Sequence, residues 1–179
     1  MTDQTPASRD GGADPSPHGA AIVVGVSPDC PDVVITEAAR FARDLDARLV
    51  FVYAEPSRYP IEVLPSGIVT SMPLDPDVPD VREESFDPEL GDRIRTLAGG
   101  LELELRALAG DPSTQLAQAA DDVDARAIVV GTRQPGFRSG IEEFFAGSIA
   151  VGLAHHQRRP VIVVPVSPAA DSRPWEPGR

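Results

Sequence analysis

Cysteine is nearly absent. Cys30 is the single one in 179 residues, so no internal disulfide forms, cysteine-built zinc clusters are excluded, and a reducing cytoplasm is the expected setting. Basic residues are scarce as well: 16 Lys and Arg face 28 Asp and Glu, giving a formal net charge of -12 and a pI ≈ 4.5. That balance repels nucleic-acid phosphates and anionic membrane surfaces, and neither is expected as a partner. No run approaches the roughly 18 consecutive apolar residues a membrane helix requires. Residues 1–19 are rich in Asp, Gly, Pro, Ser and Thr and lack the apolar centre of a signal peptide. They read as a disordered leader, and residues 169–179, with Trp175 between prolines, as a loose tail.

Between these ends, a hydrophobic content of 41% suffices for one domain over residues 20–168 with a sizeable core. Ala20-Ala21-Ile22-Val23-Val24-Gly25-Val26 is a continuous apolar run, the pattern of a strand buried on both faces of a parallel sheet. Pro31 suits a first helical position, and Val34, Ala38, Phe41, Ala42 and Leu45 follow at helical spacing. Residues 47–54, β-branched and aromatic, complete a βαβ unit.

Residues 55–87 break the pattern. Pro56, Pro60, Pro65, Pro73, Pro76 and Pro79 argue against a helix or central strand, and the acidic residues that gather here suggest a solvated surface loop without EF-hand spacing. Regularity then resumes. Leu90, Ile94 and Leu97 mark a helix stopped by Gly99-Gly100, and Leu101, Leu103, Leu105 and Ala107 alternate with polar residues as a half-exposed strand near a sheet edge does. Asp111-Pro112 is an N-cap followed by proline, opening a helix with Leu116, Ala119, Ala120 and Val123 on its buried stripe. A strand over 125–131, a helix within 142–155 and a strand over 161–166 complete the series.

Val23-Val24-Gly25-Val26, Gly110-Asp111-Pro112, Ile128-Val129-Val130-Gly131-Thr132-Arg133, Gly147-Ser148-Ile149-Ala150 and Arg159-Pro160-Val161-Ile162-Val163-Val164-Pro165 stand in an order and spacing that resemble the universal stress protein family over residues 20–167. The resemblance implies an α/β fold, a doubly wound five-stranded parallel sheet of order 3-2-1-4-5 with helices on both faces. It also implies a homodimer joined through the last strand, Val161, Ile162, Val163 and Val164. In such sheets a ligand sits at the carboxyl ends of the strands where the order reverses, which selects the loops 27–32 and 132–147.

The family's nucleotide-binding branch carries a loop G-x-x-G followed after a spacer by G-S or G-T. Gly131 matches the first glycine and Gly147-Ser148 the closing pair, with Ile149 after it; Thr132, Arg133 and Arg138 fall within the loop. Its middle departs from the pattern. Gln134 replaces the second glycine, Pro135 removes a backbone donor, Gly136 substitutes only with a shift, and Glu142 and Glu143 oppose a polyphosphate. Ser27 stands where that branch has an aspartate fixing the adenosine, with Asp29 two residues on beyond Pro28. Tyr53, at the end of the second strand, either fills the adenine space or stacks on a base.

No carboxylate or histidine is placed to activate water, and no P-loop lysine follows the glycines, so no catalytic residues are assigned. His155 and His156, adjacent in a turn before the last strand, do not share a helical face, and no metal site is assigned. Cys30 reads as a small buried residue in preference to a reactive thiol. The expected function is stress response through dimerisation or an unidentified protein partner, with a variant nucleotide pocket and no certain cofactor. The alternative is an ATP-binding switch without significant hydrolysis.

Overall fold

The computed structural model describes residues 19–132 and 145–166. In chain order its elements are β1 (Ala20–Gly25), α1 (Asp32–Asp44), β2 (Ala47–Glu55), β3 (Arg58–Val63), β4 (Val69–Pro73), β5 (Arg82–Glu83), α2 (Pro88–Ala98), β6 (Leu103–Ala109), α3 (Pro112–Asp122), β7 (Ala127–Gly131), α4 (Phe145–His156) and β8 (Val161–Val164). Residues 1–18 and 167–179, which hold most of the expected leader and tail, lie outside the described residues.

Strands without a polar face occupy the middle of the main sheet. Its order is β6-β2-β1-β7-β8 and all four pairings are parallel. Counting these five strands alone, the order is 3-2-1-4-5, as the resemblance implied. Alternation along β1 and β2 sends Ile22, Val24, Leu49 and Phe51 to one face, against Val34, Ile35 and Ala38 of α1 and Leu90 and Ile94 of α2. Val23, Val50 and Val52 face the other way, against Leu116, Ala119 and Ala120 of α3 and Leu153 of α4. β6, the strand with alternating polarity, is an edge strand.

Local chemistry sets the helix ends. Asp87 caps α2 by accepting from the Leu90 N–H at 2.7 Å, and Gly99 ends it at φ 62. Asp111 caps α3 through the Thr114 N–H at 2.9 Å. Pro31 precedes α1 as an extended residue, with Asp32 the first helical one. Among the described residues no helix is long and apolar enough to cross a membrane.

The insertion departs from the solvated loop expected of it. Residues 58–83 contain a three-stranded antiparallel sheet, β3-β4-β5. Its prolines are accommodated because Pro60 lies on the edge strand, at a register shift, and Pro73 ends β4. Arg58, 5% exposed, forms its interior: Nε donates to Ser71 Oγ at 2.7 Å, Nη2 to the Ser71 and Asp80 carbonyls at 3.0 and 2.6 Å, and Nη1 to Asp80 Oδ2 at 3.0 Å. Glu84 Oε1 lies 3.1 Å from Arg58 Nε, on a side chain only 2% exposed, and also accepts from the Ser71 hydroxyl. The fold that prolines and acids conceal is therefore centred on a buried ion pair tied to Ser71 and Asp80 by further hydrogen bonds.

Candidate functional site

From β1 the chain passes to α1 on one face of the sheet, and α4, which follows β7, lies on the other, so the order reverses between the carboxyl ends of β1 and β7, where ligands sit in sheets of this kind. Ser27, Asp29, Tyr53, Gly131 and Thr132 all lie at or just beyond the carboxyl ends of the adjacent strands β2, β1 and β7. Arg133 and Gly136 lie outside the described residues, as do Gln134, Pro135, Arg138, Glu142 and Glu143.

After β1 the Val26 N–H donates to the Val52 carbonyl, and the Cys30 N–H closes a turn on the Ser27 carbonyl at 2.9 Å. That turn presents Ser27, Pro28 and Asp29 to solvent. It is pinned from α2, where Arg93 Nη2 donates to the Cys30 carbonyl at 2.5 Å and Nε lies 3.3 Å from Asp32 Oδ1. Arg93 was not legible as a loop anchor, because one arginine on a partly exposed helix face carries no distinguishing pattern. Cys30 itself is buried, and burial pushes its thiol up to about 11. Burial thus disfavours the thiolate, the form a reactive cysteine requires.

Tyr53 is half-buried, and its hydroxyl donates to Glu55 Oε2 at 2.6 Å. Glu55 Oε1 in turn accepts from the Ser57 N–H at 3.2 Å and hydroxyl at 2.6 Å. Burial, then the bond to Glu55 and the carboxylate charges of Glu55 and Glu84, hold the phenol far above its ordinary range. Burial acts to raise the Glu55 carboxyl too, but the hydrogen bonds from Ser57 and Tyr53 outweigh it and leave the group below its usual value. Glu55 is a member of the site that sequence reasoning missed. Its signal was there, since residues two apart on a strand share a face.

Gly131 has a packing explanation. A Cβ there would stand 2.9 Å from Val34 Cγ2 and 3.2 Å from Val166 Cγ1, so the close approach of α1 and the chain leaving β8 requires glycine. Thr132 is fastened to the same segment: its N–H donates to the Val164 carbonyl at 2.7 Å, and its hydroxyl accepts from the Val166 N–H at 2.9 Å. The backbone of Gly147 lies in the first turn of α4, which starts two residues earlier at Phe145 and whose leading amides have no intrahelical acceptor, a place where the dipole favours an anion; Ser148 follows it. Ile149 packs with the core on the α3 face.

Two further motifs are placed away from this end. His155 and His156 occupy the last turn of α4 and not the turn before β8. Among the described residues no three His, Cys, Asp or Glu side chains converge as a metal site would require. Arg159, ahead of β8, donates through Nε to the Ala125 carbonyl at 2.6 Å and pairs with Asp121 and Asp124, fixing the amino end of the edge strand.

Comparison with known proteins agrees with this architecture. The chain is similar to a universal stress protein solved in complex with cAMP, at 21% identity and TM-score 0.50 over 83% of this chain and 98% of that one. It is similar to a universal stress protein from Archaeoglobus fulgidus at 22% identity and TM-score 0.50, over 81% and 93% of the respective chains. A second universal stress protein, from Archaeoglobus fulgidus DSM 4304, gives 13% identity and TM-score 0.52, over 81% of this chain and 43% of that one. No curated protein matches the chain. The model of the Universal stress protein family matches residues 20–165, the whole span of the five-stranded sheet, and the chain belongs to that family.

Proposed function

We propose that this universal stress protein domain acts in a stress response in the cytoplasm, through dimerisation and protein partners and without turnover, its nucleotide pocket having been reshaped. The observation that carries the reading is the internal use of polar groups at the carboxyl end of the sheet. The Tyr53 hydroxyl proton is committed to Glu55, so a ligand that would accept from it must displace an existing hydrogen bond, and the Thr132 hydroxyl oxygen already accepts from the Val166 N–H. Ser27 also supplies no carboxylate where the nucleotide-binding branch has one. The residues present do not fit that branch at these points.

Support for dimerisation lies on β8. This strand pairs with β7 alone among the described residues, and Val163 is exposed, as is Val151 on neighbouring α4. An apolar strand edge suits two-fold pairing with its own copy. A second reading, an adenine-nucleotide switch binding ATP, draws on the first-turn amides of α4 and the exposed turn at Ser27 and Asp29.

Denaturing freshly purified protein, identifying released nucleotide by chromatography, and titrating ATP, AMP and cAMP by calorimetry separates the two. The proposal expects no stoichiometric nucleotide, no saturating heat, and a dimer by sedimentation. Co-purified adenine nucleotide would replace it with the switch. Should binding be weak, Ser27→Asp raises ATP affinity if the missing carboxylate is the obstacle and leaves it unchanged if the variant loop is.

A further inference from the structure

Seven of the eleven large hydrophobic side chains exposed among the described residues belong to the insertion, although it forms a small part of the chain. Ile61 and Val63 on β3 are 47 and 64% exposed, and Leu74 and Val81 outside that strand are exposed as well; Tyr59, opposite Met72, falls on the other face from Val63, opposite Val69, because the register shifts between Pro60 and Glu62. β3 is an edge strand with β4 as its single partner among the described residues. Single exposed apolar residues are ordinary; their concentration in one short insertion is the usual mark of an interaction surface.

Charge selects the occupant. Residues 55–87 carry eight carboxylates and two arginines, a net charge of 2 − 8 = −6 and half of the chain's −12. Arg58 is buried in its own network, leaving Arg82 as the accessible cation, while Glu62, Asp75, Asp77 and Glu83 are exposed around the apolar side chains. A second copy would bring the same acidic surface and be repelled, as would an anionic membrane. We propose that the insertion docks an extended, cationic and apolar segment of another protein along the edge of β3, its apolar side chains on Ile61 and Val63 and its basic ones on the acidic rim. Pro60 lacks a backbone donor at this edge, so side-chain contacts and charge carry more of the binding than strand addition does. The inference rests on the partner-binding reading but is tested apart from it, because nucleotide binding reports on the carboxyl end of the main sheet and peptide binding on the insertion.

The probe is a short fluorescein-labelled peptide of alternating valine and arginine, compared by anisotropy with one in which glycine replaces valine at the same charge. The full-length protein is expected to bind the valine peptide saturably and about tenfold more tightly. Salt should weaken both. The double substitution Ile61→Ser with Val63→Ser, on exposed side chains, should leave Tm unchanged and abolish the preference. Equal affinity for the two peptides would overturn the proposal, because charge alone would then explain binding. So would a preference that survives the serine substitutions, a dimer that they dissociate, which would make a second copy the occupant, or peptide binding that emerges only on removal of residues 167–179, which would make the tail the occupant.

Discussion

The two sheets are stabilised in opposite ways. In the main sheet Phe51, Ile22, Leu49 and Ile128 are fully buried among aliphatic side chains, and the favourable term is apolar surface removed from water. In the insertion sheet the buried side chains include Arg58 and Ser71, held with Glu84 in a charged network. Hydrophobic burial is non-directional and tolerant, whereas a buried ion pair is stable only while every partner remains in place. The insertion can therefore fail locally while the domain beneath it stands.

The largest effect should come from breaking the apolar side. Phe51→Ala is expected to cost about 3–5 kcal/mol, seen as a lower urea midpoint for the entire domain. Arg58→Met tests the other mechanism. It leaves the buried Glu84 with Arg82, half-exposed and 3.5 Å away, as its remaining cation, at a local cost of up to about 3–5 kcal/mol. Hydrogen exchange should then show the loss confined to residues 58–84, with the main unfolding transition almost unmoved. Adding Glu84→Leu should restore most of the protection, since the pair is replaced together. If the single substitution lowers the global midpoint as far as Phe51→Ala does, the two sheets are one cooperative unit and the contrast fails.

Smaller changes sharpen it within the main domain. Gly131→Ala forces a methyl against Val34 and Val166 and should cost about 1–3 kcal/mol in thermal unfolding, whether or not a nucleotide binds. Asp111→Ala removes the cap of α3 and should cost about 1 kcal/mol at neutral pH. Burial acts to raise the Asp111 carboxyl, but hydrogen bonds from Ser113 and Thr114 outweigh it and hold the group below its ordinary value. A depressed carboxyl stabilises the fold fully above its unfolded pKa, and that contribution is lost as pH falls through the lower folded value. Parent and variant should therefore converge in stability as pH falls below the ordinary aspartate range and through that depressed value.

The difference between the sheets also explains what could be read in advance. Continuous apolar runs identified β1, β2, β7 and β8, alternation identified β6 and its place at the edge, helical spacing with Gly99-Gly100 identified α2, and Asp111-Pro112 located the start of α3. Each signal is local, arising from neighbours along one strand or helix. The insertion gave none of this, because its stabilising partners are remote: Arg58 meets Ser71 at 13 residues' separation and Asp80 at 22. An arginine and scattered acids among prolines look the same whether solvated or paired.

At the candidate site the division runs between residues. Sequence placed Ser27, Tyr53, Gly131 and Thr132 at the carboxyl end of the sheet, because a parallel βαβ order fixes which strand ends meet there. Tertiary structure decided that the Tyr53 hydroxyl is bound to Glu55, that Gly131 is required by Val34, and that α2 holds the loop after β1 through Arg93. The chain by itself determined the fold, since burial periodicity and caps depend on residue type and short-range spacing. Which polar groups are already engaged was decided only in three dimensions, because a hydrogen bond depends on distances and angles between residues that spacing along the chain does not set.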